Sequence, residues 1–562
     1  MPGAGRRSSY GIRRVAAGAK KPTTTTSRRG SPARIAHRAE RGRSLQEVSK
    51  GDEETFLGRC DRQPKLSGHV NSKSPPPEPI RQFRRLFFVA GRWFGDEVSR
   101  QICNHHQRRL RRIGWERALK PPAGGWAAGE PPMRAGNAVD VLIDGAQALP
   151  AIVGELRQAR SHVHLTGWHF SPDFPLERDG EWVILRNLLA ELAERVDVRV
   201  LVWAGAPLPL FRPSRFEVRK MRERLIEHTK IECALDAKER PMHCHHEKTI
   251  VIDDRVAFVG GIDLTSESGD RFDTNEHPAR ADVGWHDACA RIEGPAVVDV
   301  AEHFRMRWRE VTGKTLAPVV PSQTAGDVAV QVVRTVPEHV YAAVPKGDFS
   351  ILESYLRAIQ AAERFIYIEN QFLWSPEVEF VLREKIANPP HPDFRVLLLL
   401  PSKPNTGVDD TRGTLGDLIE ADGEDGRLLA CTLFARAGDL ADRIYVHAKI
   451  AIIDDNWLTL GSANLNEHSL FNDTEMNIVS HDPDLALRTR LRLWAEHLEL
   501  PLEQIPLDPI TVIDDLWKPI SREQLQRRTD GQPLTHRLVR LPHVSRRSGR
   551  LLGPITGILV DG

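Results

Sequence analysis

The sequence predicts an α/β protein with two similar lobes, each a mixed β-sheet flanked by helices, related to one another by a pseudo-twofold axis. Three observations predict this fold class. Short β-branched runs alternate with helix-like segments from about residue 137. The same order of segments returns after about residue 326, which indicates an internal duplication. One eight-residue motif occurs once in each half. The alternation of strands with helices favours a sheet that is mixed or mostly parallel.

The first part of the chain lacks the pattern of a folded domain. Residues 1–80 are rich in Arg, Ser, Thr and Pro, so we predict a disordered basic leader. Residues 1–50 carry thirteen Lys or Arg and two acidic residues, although the net charge of the whole chain is only +2. Such a tail suits an anionic membrane or nucleic-acid surface, and it equally fits a solvated leader.

Residues 81–134 are predicted to hold a basic segment interleaved with aromatic residues, followed by a Pro/Gly-rich linker. The apolar stretch of the basic segment is too short to span a bilayer. Two interpretations stay open for this segment. It either lies on a membrane surface or packs on the fold as a helix with its Arg side chains in water.

The composition limits the class of protein. Hydrophobic residues make up 40% of the chain and charged residues 27%, as in soluble globular proteins. The six cysteines are scattered without a CxxC pair, which argues against a zinc ribbon and a dense disulfide framework. No apolar run has the roughly 18 residues of a membrane-spanning helix, and the N-terminus lacks the apolar stretch of a secretory signal. We therefore expect a cytoplasmic protein whose membrane contact, if any, is peripheral.

The predicted first lobe covers residues 135–325 and the second covers residues 326–515, with residues 516–562 as a C-terminal extension. The predicted strands of the first lobe are VDVLIDG, HVHLTGW, VRVLVW, KTIVIDD and VAFVGG, with EWVILRNLLAELAERV as a helix. Those of the second are VAVQVVRT, FIYIENQ, FRVLLLLP, KIAIIDD and WLTLGS, with FSILESYLRAIQAAE as a helix. The matching order supports a duplication.

The motif HxKxxxxD occurs once in each predicted lobe, and the two histidines are 201 residues apart. Both copies run into a predicted strand and are followed by a turn of small residues. Two matches at equivalent places in two repeats are far less probable by chance than one. The motif residues are His246, Lys248 and Asp253 in HEKTIVID, and His447, Lys449 and Asp454 in HAKIAIID.

The residue types in the motif suit phosphodiester chemistry. Alternate side chains of a strand share a face, so a His and a Lys two positions apart point the same way. If the two lobes bring both pairs together, a phosphodiester meets two ammonium groups and two imidazoles. One imidazole can attack phosphorus while the other protonates the leaving alcohol. The lysines supply the positive charge, so the sequence predicts neither a metal nor a cofactor.

Other residues near the motifs are candidates for supporting roles. Gly461, Ser462 and Asn464 offer backbone, hydroxyl and amide donors to phosphate oxygens. Glu475, in NDTEMN, and Asp287, in GWHD, are carboxylates placed to orient an imidazole through its second nitrogen.

Two further groups are predicted to stay out of the chemistry. The motif acids Asp253 and Asp454 lie an odd number of positions past the lysines, so we expect them to support a turn or the backbone. The cluster HCHH resembles a metal site, but residues at this spacing on a strand cannot all face one ion. The cluster consists of His243, Cys244, His245 and His246.

The duplicated motif resembles the HKD pair that defines the phospholipase D superfamily, and the resemblance covers roughly residues 135–515. IYIENQF, from Ile366 to Phe372, resembles a block of that family, as do GWHDACARIEGPAVVDVAEHFRMRW and GSANLNEHSL. Such blocks belong to the phospholipid-acting branch more than to the small nucleases, which carry one motif per chain and dimerise.

The resemblance implies a phospholipase D-like fold and a covalent phosphohistidine intermediate. By similarity His246 is the nucleophile and His447 the general acid. Lys248, Lys449 and Asn464 would bind the phosphate, while Glu475 and Asp287 would orient the imidazoles.

This sequence departs from the family pattern at two positions. Asp263 stands where the second copy has Asn464, and a carboxylate there would repel a phosphate, so we expect it to face a His or a substrate hydroxyl. His468 stands where the family commonly has Arg, which removes any contact made by that Arg.

The function that this resemblance implies is hydrolysis of a glycerophospholipid to phosphatidate, with transfer to an alcohol as a side reaction. A cardiolipin synthase-like phosphatidyltransferase is the nearest alternative, disfavoured because no N-terminal membrane helices are evident. A nuclease is favoured by the basic leader and disfavoured by the IENQ and WHD blocks. A non-catalytic lipid-binding scaffold would be expected to lose some motif residues. We expect a membrane surface and water or an alcohol as partners, no nucleic acid, and a monomer because both motifs lie in one chain.

Overall fold

The computed structural model describes residues 97–542, with gaps at 98, 179, 208–211, 404–407, 424 and 438–439. The chain divides into the units Met1–Pro75 and Pro76–Gly562, and every described residue belongs to the second unit. The predicted leader, residues 1–80, lies outside the described residues, as do residues 81–96 and 543–562.

The first lobe contains a mixed sheet of seven strands. Its first four pairings are antiparallel and its last two are parallel. Two of the connections between parallel neighbours pass through helices, as crossovers between parallel strands require. The strands in spatial order are Arg134–Ile143, Ala288–Glu293, Val256–Gly260, Thr249–Ile252, His162–Gly167, Asp197–Trp203 and Glu232–Asp236.

The second lobe repeats this sheet with the same strand order and the same directions. Its strands are Val328–Val336, Glu475–Ser480, Trp457–Gly461, Ile450–Ile453, Phe365–Glu369, Arg395–Leu399 and Leu428–Ala437. The predicted α/β class with two similar lobes is therefore confirmed. The motif strand is the fourth of seven in each sheet, which places both motifs at the centre of their lobes.

The first strands of the two lobes also pair with each other, at Arg134 with Val330 and at Asn137 with Val328, so that the sheets are continuous. Strands Asp348–Phe349, Leu440–Arg443 and Leu538–Arg540 are added to the second sheet. The last of these comes from the segment that the sequence assigned to a C-terminal extension. Its three residues pair with Cys431, Thr432 and Leu433, so that part of the segment completes the second sheet.

Helices cover the sheets, and several of them start with a side-chain cap. Ser214 forms a capping box with Glu217, while Ser375 and Asp482 accept backbone N–H groups ahead of a proline in the first turn. The helices of the first lobe are Gly145–Arg157, Leu185–Ala193, Arg215–Ile226 and Val297–Thr312. Those that follow are Ser350–Ala361, Pro376–Ala387, Val408–Asp422, Pro483–Leu498, Pro509–Val512 and Lys518–Thr529.

Shorter elements complete the fold. Pro175–Glu177 pairs with Val183–Ile184, and Trp285–His286 pairs with Tyr445–Val446. Single turns of 3₁₀ or π-helix cover Glu116–Ala118, Leu502–Gln504, His468–Asn472 and Ile513–Trp517. None of the helices in the described part of the chain has the length and apolar content needed to cross a bilayer.

The core consists of three large apolar clusters. One joins strands of both lobes, including Val139, Val330 and Leu458, and the other two lie between a sheet and the helices of a single lobe. Strands such as Ile450–Ile453 are buried on both faces, which explains why they are continuous apolar runs without alternation. The shared cluster makes the two lobes one packed body within the described residues.

The described part of the basic segment forms a helix over 99–113 that packs on the second lobe. His106, Arg109 and Leu110 are buried. Arg109 binds Glu338 at 2.7 Å, and His106 contacts Glu377 at 2.7 Å. Of the two interpretations left open, packing on the fold applies to this portion, although Arg109 is buried in an ion pair and does not lie in water.

Candidate active site

The two motifs lie at the centre of the molecule. His246 and Lys248 come directly before the strand Thr249–Ile252, and His447 and Lys449 come directly before Ile450–Ile453. All four side chains are buried, with at most 5% of each residue exposed. Burial of two lysines and two histidines costs free energy unless these groups are paired. The partners of the four side chains therefore show how the site is stabilised.

Each motif is held by a segment of the opposite lobe. The backbone N–H groups of His246 and Glu247 both donate to the carbonyl oxygen of Thr474, at 2.9 and 3.0 Å. The N–H groups of His447 and Ala448 both donate to the carbonyl oxygen of His286, at 2.8 and 3.0 Å. The same backbone arrangement therefore occurs twice with the lobes exchanged, as a pseudo-twofold axis requires.

The residues that follow these carbonyl groups are the two predicted orienting carboxylates. His246 Nδ1 lies 2.9 Å from Glu475 Oε1, and His447 Nδ1 lies 2.6 Å from Asp287 Oδ2. Each imidazole is thus paired with a carboxylate from the other lobe. A carboxylate at Nδ1 favours the tautomer that carries its proton there, which leaves Nε2 as the reactive nitrogen.

Glu475 is surrounded by hydroxyl groups. Ser469 Oγ donates to its Oε1 at 2.6 Å, and Ser462 Oγ donates to its Oε2. Burial raises the pKa of Glu475 to about 8, against the opposing effects of the Lys248 charge and the two serine hydroxyls. Ser462 was a candidate for phosphate binding, but the structure places its hydroxyl on Glu475, where it holds the orienting group.

Asp287 is fixed in a different way. Its Oδ1 accepts the N–H of Ala288 at 2.8 Å, and burial raises its pKa. A Cβ added at Gly261 would lie 2.1 Å from Asp287 Oδ1, so only glycine leaves room for this carboxylate. The equivalent position in the second lobe is Ser462. Gly261 therefore leaves space for Asp287 in the first lobe, whereas Ser462 donates a hydrogen bond to Glu475 in the second.

The two lysines are held by different partners. Lys248 Nζ donates to the His246 carbonyl oxygen at 2.7 Å and lies 3.0 Å from Asp263 Oδ2. Lys449 Nζ donates to the His447 carbonyl oxygen and to Gln371 Oε1, the latter at 3.1 Å. We expected Asp263 to face a His or a substrate hydroxyl; the structure pairs its carboxylate with the motif lysine, and contact with a substrate hydroxyl stays a prediction.

Asn464, predicted to bind phosphate, lies beside Lys449. Its Nδ2 donates to Gln371 Oε1 at 3.4 Å, and Gln371 in turn donates to the Tyr445 hydroxyl at 2.8 Å. Gln371 belongs to the IENQ block that the sequence singled out, although no role could be assigned to it. The structure shows that it positions both the lysine and the amide of the second motif.

The His447 ring lies in an aromatic and cationic environment. Its centroid is 4.3 Å from that of Trp285, and the Arg271 guanidinium lies 3.4 Å over the Trp285 ring. Burial lowers the pKa of His447 well below its usual value, and the charges of Lys449, Lys248 and Arg271 add to this effect. Arg271, whose own pKa is lowered by burial to about 10, lies in a loop without any pattern that sequence reasoning could use.

The motif aspartates lie apart from this group. Asp253 accepts the backbone N–H groups of residues 160–162, and Asp454 accepts those of residues 363–365, all at 2.7 to 3.0 Å. Both have positive φ, 57° and 54°, at the tight turn after their motif strand. They tie this turn to the start of the neighbouring strand and do not contact the imidazoles.

The HCHH cluster separates in the structure. His243 Nδ1 contacts His468 Nδ1 at 3.0 Å, and His245 Nε2 lies 3.1 Å from Asp236. His246 faces Glu475. These three rings therefore point to three different partners, and His468, which replaces the family's Arg, contacts His243.

Comparison with known proteins shows similarity to one family. A profile described as "Cardiolipin synthase, PLD-like domain" matches residues 355–495, which include the second motif. Phospholipase D A of Dictyostelium discoideum is 28% identical over 474 residues, covering 67% of this chain and 37% of that protein. Phospholipase D alpha 4 of Arabidopsis thaliana is 26% identical over 497 residues, covering 64% of each chain. The chain is similar to members of the phospholipase D superfamily.

Further similarities are partial. Phospholipase D1 of Schizosaccharomyces pombe is 26% identical over 465 residues, covering 62% of this chain and 33% of that protein. The chain thus spans between a third and two thirds of the length of these relatives. The crystal structure of phosphatidylserine synthase from Haemophilus influenzae matches with a TM-score of 0.42 at 12% identity, covering 63% of this chain and 84% of that one.

Proposed function

We propose that this chain is a phospholipase D-type phosphodiesterase that cleaves the headgroup from a glycerophospholipid to leave phosphatidate. The single observation that carries the proposal is the reciprocal pairing of His246 with Glu475 and of His447 with Asp287, each across the two lobes. Two oriented imidazoles, each with a lysine two residues away, suit a phosphodiester and its two successive displacements. Relatives at 24 to 28% identity are named phospholipase D.

The proposed reaction has two steps. Nε2 of His246 attacks phosphorus, the bond to the headgroup oxygen breaks, and His447 donates a proton to that oxygen. This leaves a phosphatidyl group on His246. In the second step His447 takes a proton from water, the water oxygen bonds to phosphorus, and the bond between phosphorus and Nε2 breaks to release phosphatidate. The choice of His246 as nucleophile follows the resemblance to the family.

The charges of the site support binding of an anion. Lys248, Lys449 and Asn464 are proposed to hold the phosphate oxygens, since the ammonium groups stabilise the charge that develops on them. His447 has a lowered pKa beside these lysines, which opposes its role as an acid. A bound phosphodiester would offset the lysine charges, and we propose that it thereby restores the protonated imidazole.

An alcohol can replace water in the second step, because the intermediate accepts either. A phosphatidyltransferase that uses an alcohol as its normal acceptor is therefore the second candidate, and the matching family profile is described as that of cardiolipin synthase. We propose that the enzyme works as a cytoplasmic monomer at a phospholipid surface, because one chain supplies both motifs. Nucleic acid is not a proposed substrate.

The test is product analysis with phosphatidylcholine vesicles and ethanol. The wild type should release phosphatidate and phosphatidylethanol, while His246→Ala and His447→Ala should release neither. A ratio dominated by phosphatidylethanol at low ethanol would favour the transferase. Absence of both products from phosphatidylcholine, phosphatidylethanolamine and phosphatidylglycerol, together with cleavage of single-stranded DNA, would refute the lipid assignment.

A further inference from the structure

A second buried cluster of polar side chains lies next to the site, and the proposed chemistry does not use it. It consists of two histidines and two carboxylates from three separate parts of the chain. Their potential ligand atoms lie within 4.8 Å of one another. Asp144 and His286 are fully buried, His277 is 2% exposed, and the Glu496 side chain is 5% exposed.

Four distances between candidate ligand atoms are close to the edge of a tetrahedron around a small cation, and the two distances from Asp144 involve its two different oxygens. His286 Nδ1 lies 3.1 Å from Asp144 Oδ1 and 3.3 Å from Glu496 Oε1. His277 Nε2 lies 3.1 Å from Glu496 Oε1 and 3.6 Å from Asp144 Oδ2. Four ligand atoms about 2.0–2.1 Å from a tetrahedral Zn²⁺ are separated by about 3.3–3.4 Å.

The other nitrogen of each histidine faces a further carboxylate. His277 Nδ1 lies 2.9 Å from Asp273 Oδ2, and His286 Nε2 lies 2.7 Å from Glu369 Oε2. A histidine that binds a metal ordinarily donates its second N–H to a carboxylate, which fixes the tautomer and the orientation of the ring. The cluster therefore has the outer partners of a metal site as well as four candidate ligands.

Asp144 is the residue whose behaviour is hardest to explain without a ligand. It is the N-cap residue of the helix Gly145–Arg157, yet its side chain makes no capping hydrogen bond. Its Oδ2 is buried and has no hydrogen-bond partner among the described residues. A buried carboxylate oxygen without a donor costs free energy, and a cation among the four ligands would offset that cost.

We propose that Asp144, His277, His286 and Glu496 bind one divalent transition-metal ion, with Zn²⁺ as the best match. Imidazole nitrogens favour such an ion over Mg²⁺ or Ca²⁺, which take oxygen ligands. Four protein ligands close the coordination shell, so the role of the ion is structural and it does not activate water. This inference does not depend on the proposed lipid chemistry.

The position of the cluster indicates what a bound ion would stabilise in the fold. Three ligands come from the first lobe, and Glu496 comes from the helix Pro483–Leu498 of the second. Asp287 directly follows His286, and its backbone N–H donates to Asp144 Oδ1 at 3.0 Å. The ion would therefore tie the two lobes together and fix the turn that presents Asp287 to His447.

Protons compete with a metal for these rings. Burial disfavours a charged ring, but the neighbouring carboxylates Asp144, Asp273 and Glu496 nevertheless raise the pKa of His277 to about 9. A cluster held together by protons alone is therefore the alternative, and it differs from the proposal in metal content. Elemental analysis decides between them.

The experiment measures the metal content of the untagged full-length protein after growth with zinc and dialysis against metal-free buffer. The wild type should retain about one equivalent of Zn²⁺. Asp144→Asn and His277→Gln should lose most of it. His243→Gln is the matched control, because His243 belongs to a different His and Asp group with His468 and Asp473, and this variant should keep its metal.

Two further measurements keep the test valid if a ligand variant fails to fold. Asp273→Asn leaves all four ligands in place and should weaken Zn²⁺ binding about 10- to 100-fold. Wild type produced without zinc should unfold at a midpoint about 5 °C or more below the zinc-loaded protein. Less than a tenth of an equivalent in the zinc-grown wild type, or loss of metal from His243→Gln with retention in His277→Gln, would overturn the proposal.

Discussion

Glu475 and Asp287 make the same contact with an imidazole in the two halves of the site, but their surroundings differ. Glu475 is longer and accepts hydrogen bonds from Ser462 and Ser469, whereas Asp287 is shorter and rests against Gly261. Both carboxyl groups are buried and have raised pKa values. At the residue scale, the reactivity of each imidazole therefore depends on one carboxylate in a low-dielectric environment.

Replacement of Glu475 by glutamine tests this dependence. Glu475→Gln keeps the shape of the side chain, but an amide cannot lose a proton to give the negative charge that stabilises a protonated His246. We expect kcat to fall by about 10²–10⁴-fold. The exposed residue Glu302 provides the control, since Glu302→Gln should change kcat by less than about twofold. A Glu475→Gln variant with wild-type kcat would contradict the assigned role.

Glu475 should also make stability depend on pH. Its pKa is about 8 in the folded protein, and about 4.3 is usual for an unfolded chain. Because the folded state binds the proton more tightly, the stabilising contribution is full below pH about 4.3, declines as the pH rises, and is lost above pH about 8. Urea unfolding at several pH values should show that the wild type loses more stability than Glu475→Gln between pH about 5 and 8. An equal or smaller loss in the wild type would refute this linkage.

At the scale of single elements, the small residues after the strand next to each motif strand set the position of the two carboxyl groups. The strand Val256–Gly260 ends at Gly260 and Gly261, and its counterpart Trp457–Gly461 ends next to Ser462. The His and Lys of each motif come directly before the motif strand. The residues after the neighbouring strand contact the carboxyl group of their own lobe, since Gly261 leaves space for Asp287 and Ser462 donates to Glu475. The element therefore acts by leaving space as much as by supplying groups.

Gly261→Ala should disturb this approach. The added Cβ would lie 2.1 Å from Asp287 Oδ1, so the carboxylate must move away from His447. We expect kcat to fall about tenfold or more, since small displacements of a positioned group are costly to the reaction. Gly154→Ala is the matched control, because nothing lies within 4 Å of its added Cβ and alanine favours a helix interior. Steady-state kinetics of both variants would contradict this account if Gly261→Ala kept its full rate.

The sequence predicted the elements better than their mutual contacts. Motif strands such as Ile450–Ile453 could be found because their apolar pattern is local, and their repetition indicated two lobes. The imidazole that Glu475 contacts could not be predicted, because only the packing of the two sheets places the Glu475 carboxyl group beside His246 and not beside His447. The ion pair of Asp263 with Lys248 was not predicted for a similar reason, since it depends on the turn geometry.

At the scale of the whole molecule, the site exists only where the two lobes meet. Both pairs of carboxylate and imidazole cross the boundary between the lobes, and one apolar cluster contains strands from each. The proposed metal ligands show the same property, since Asp144 and Glu496 come from different lobes without any recognisable spacing in the sequence. Chemistry and stability therefore depend on one interface.

A double-mutant comparison tests this coupling. Asp287 acts through His447, although they belong to different lobes, so Asp287→Asn should have little further effect once His447 is replaced by alanine. We expect the double variant to be as slow as His447→Ala alone, within about threefold. The residual rate of each variant with a substrate that has an activated leaving group provides the measurement. Multiplicative losses would show that the two residues act independently.

The exchange of carboxylates between lobes also affects when the protein can first act during its synthesis. The ribosome completes His246 and Lys248 long before Glu475, which lies 229 residues further along the chain. A nascent chain with a folded first lobe therefore exposes a histidine without its partner, and the second histidine does not yet exist. The proposed reaction therefore requires that the second half has been translated and has docked on the first.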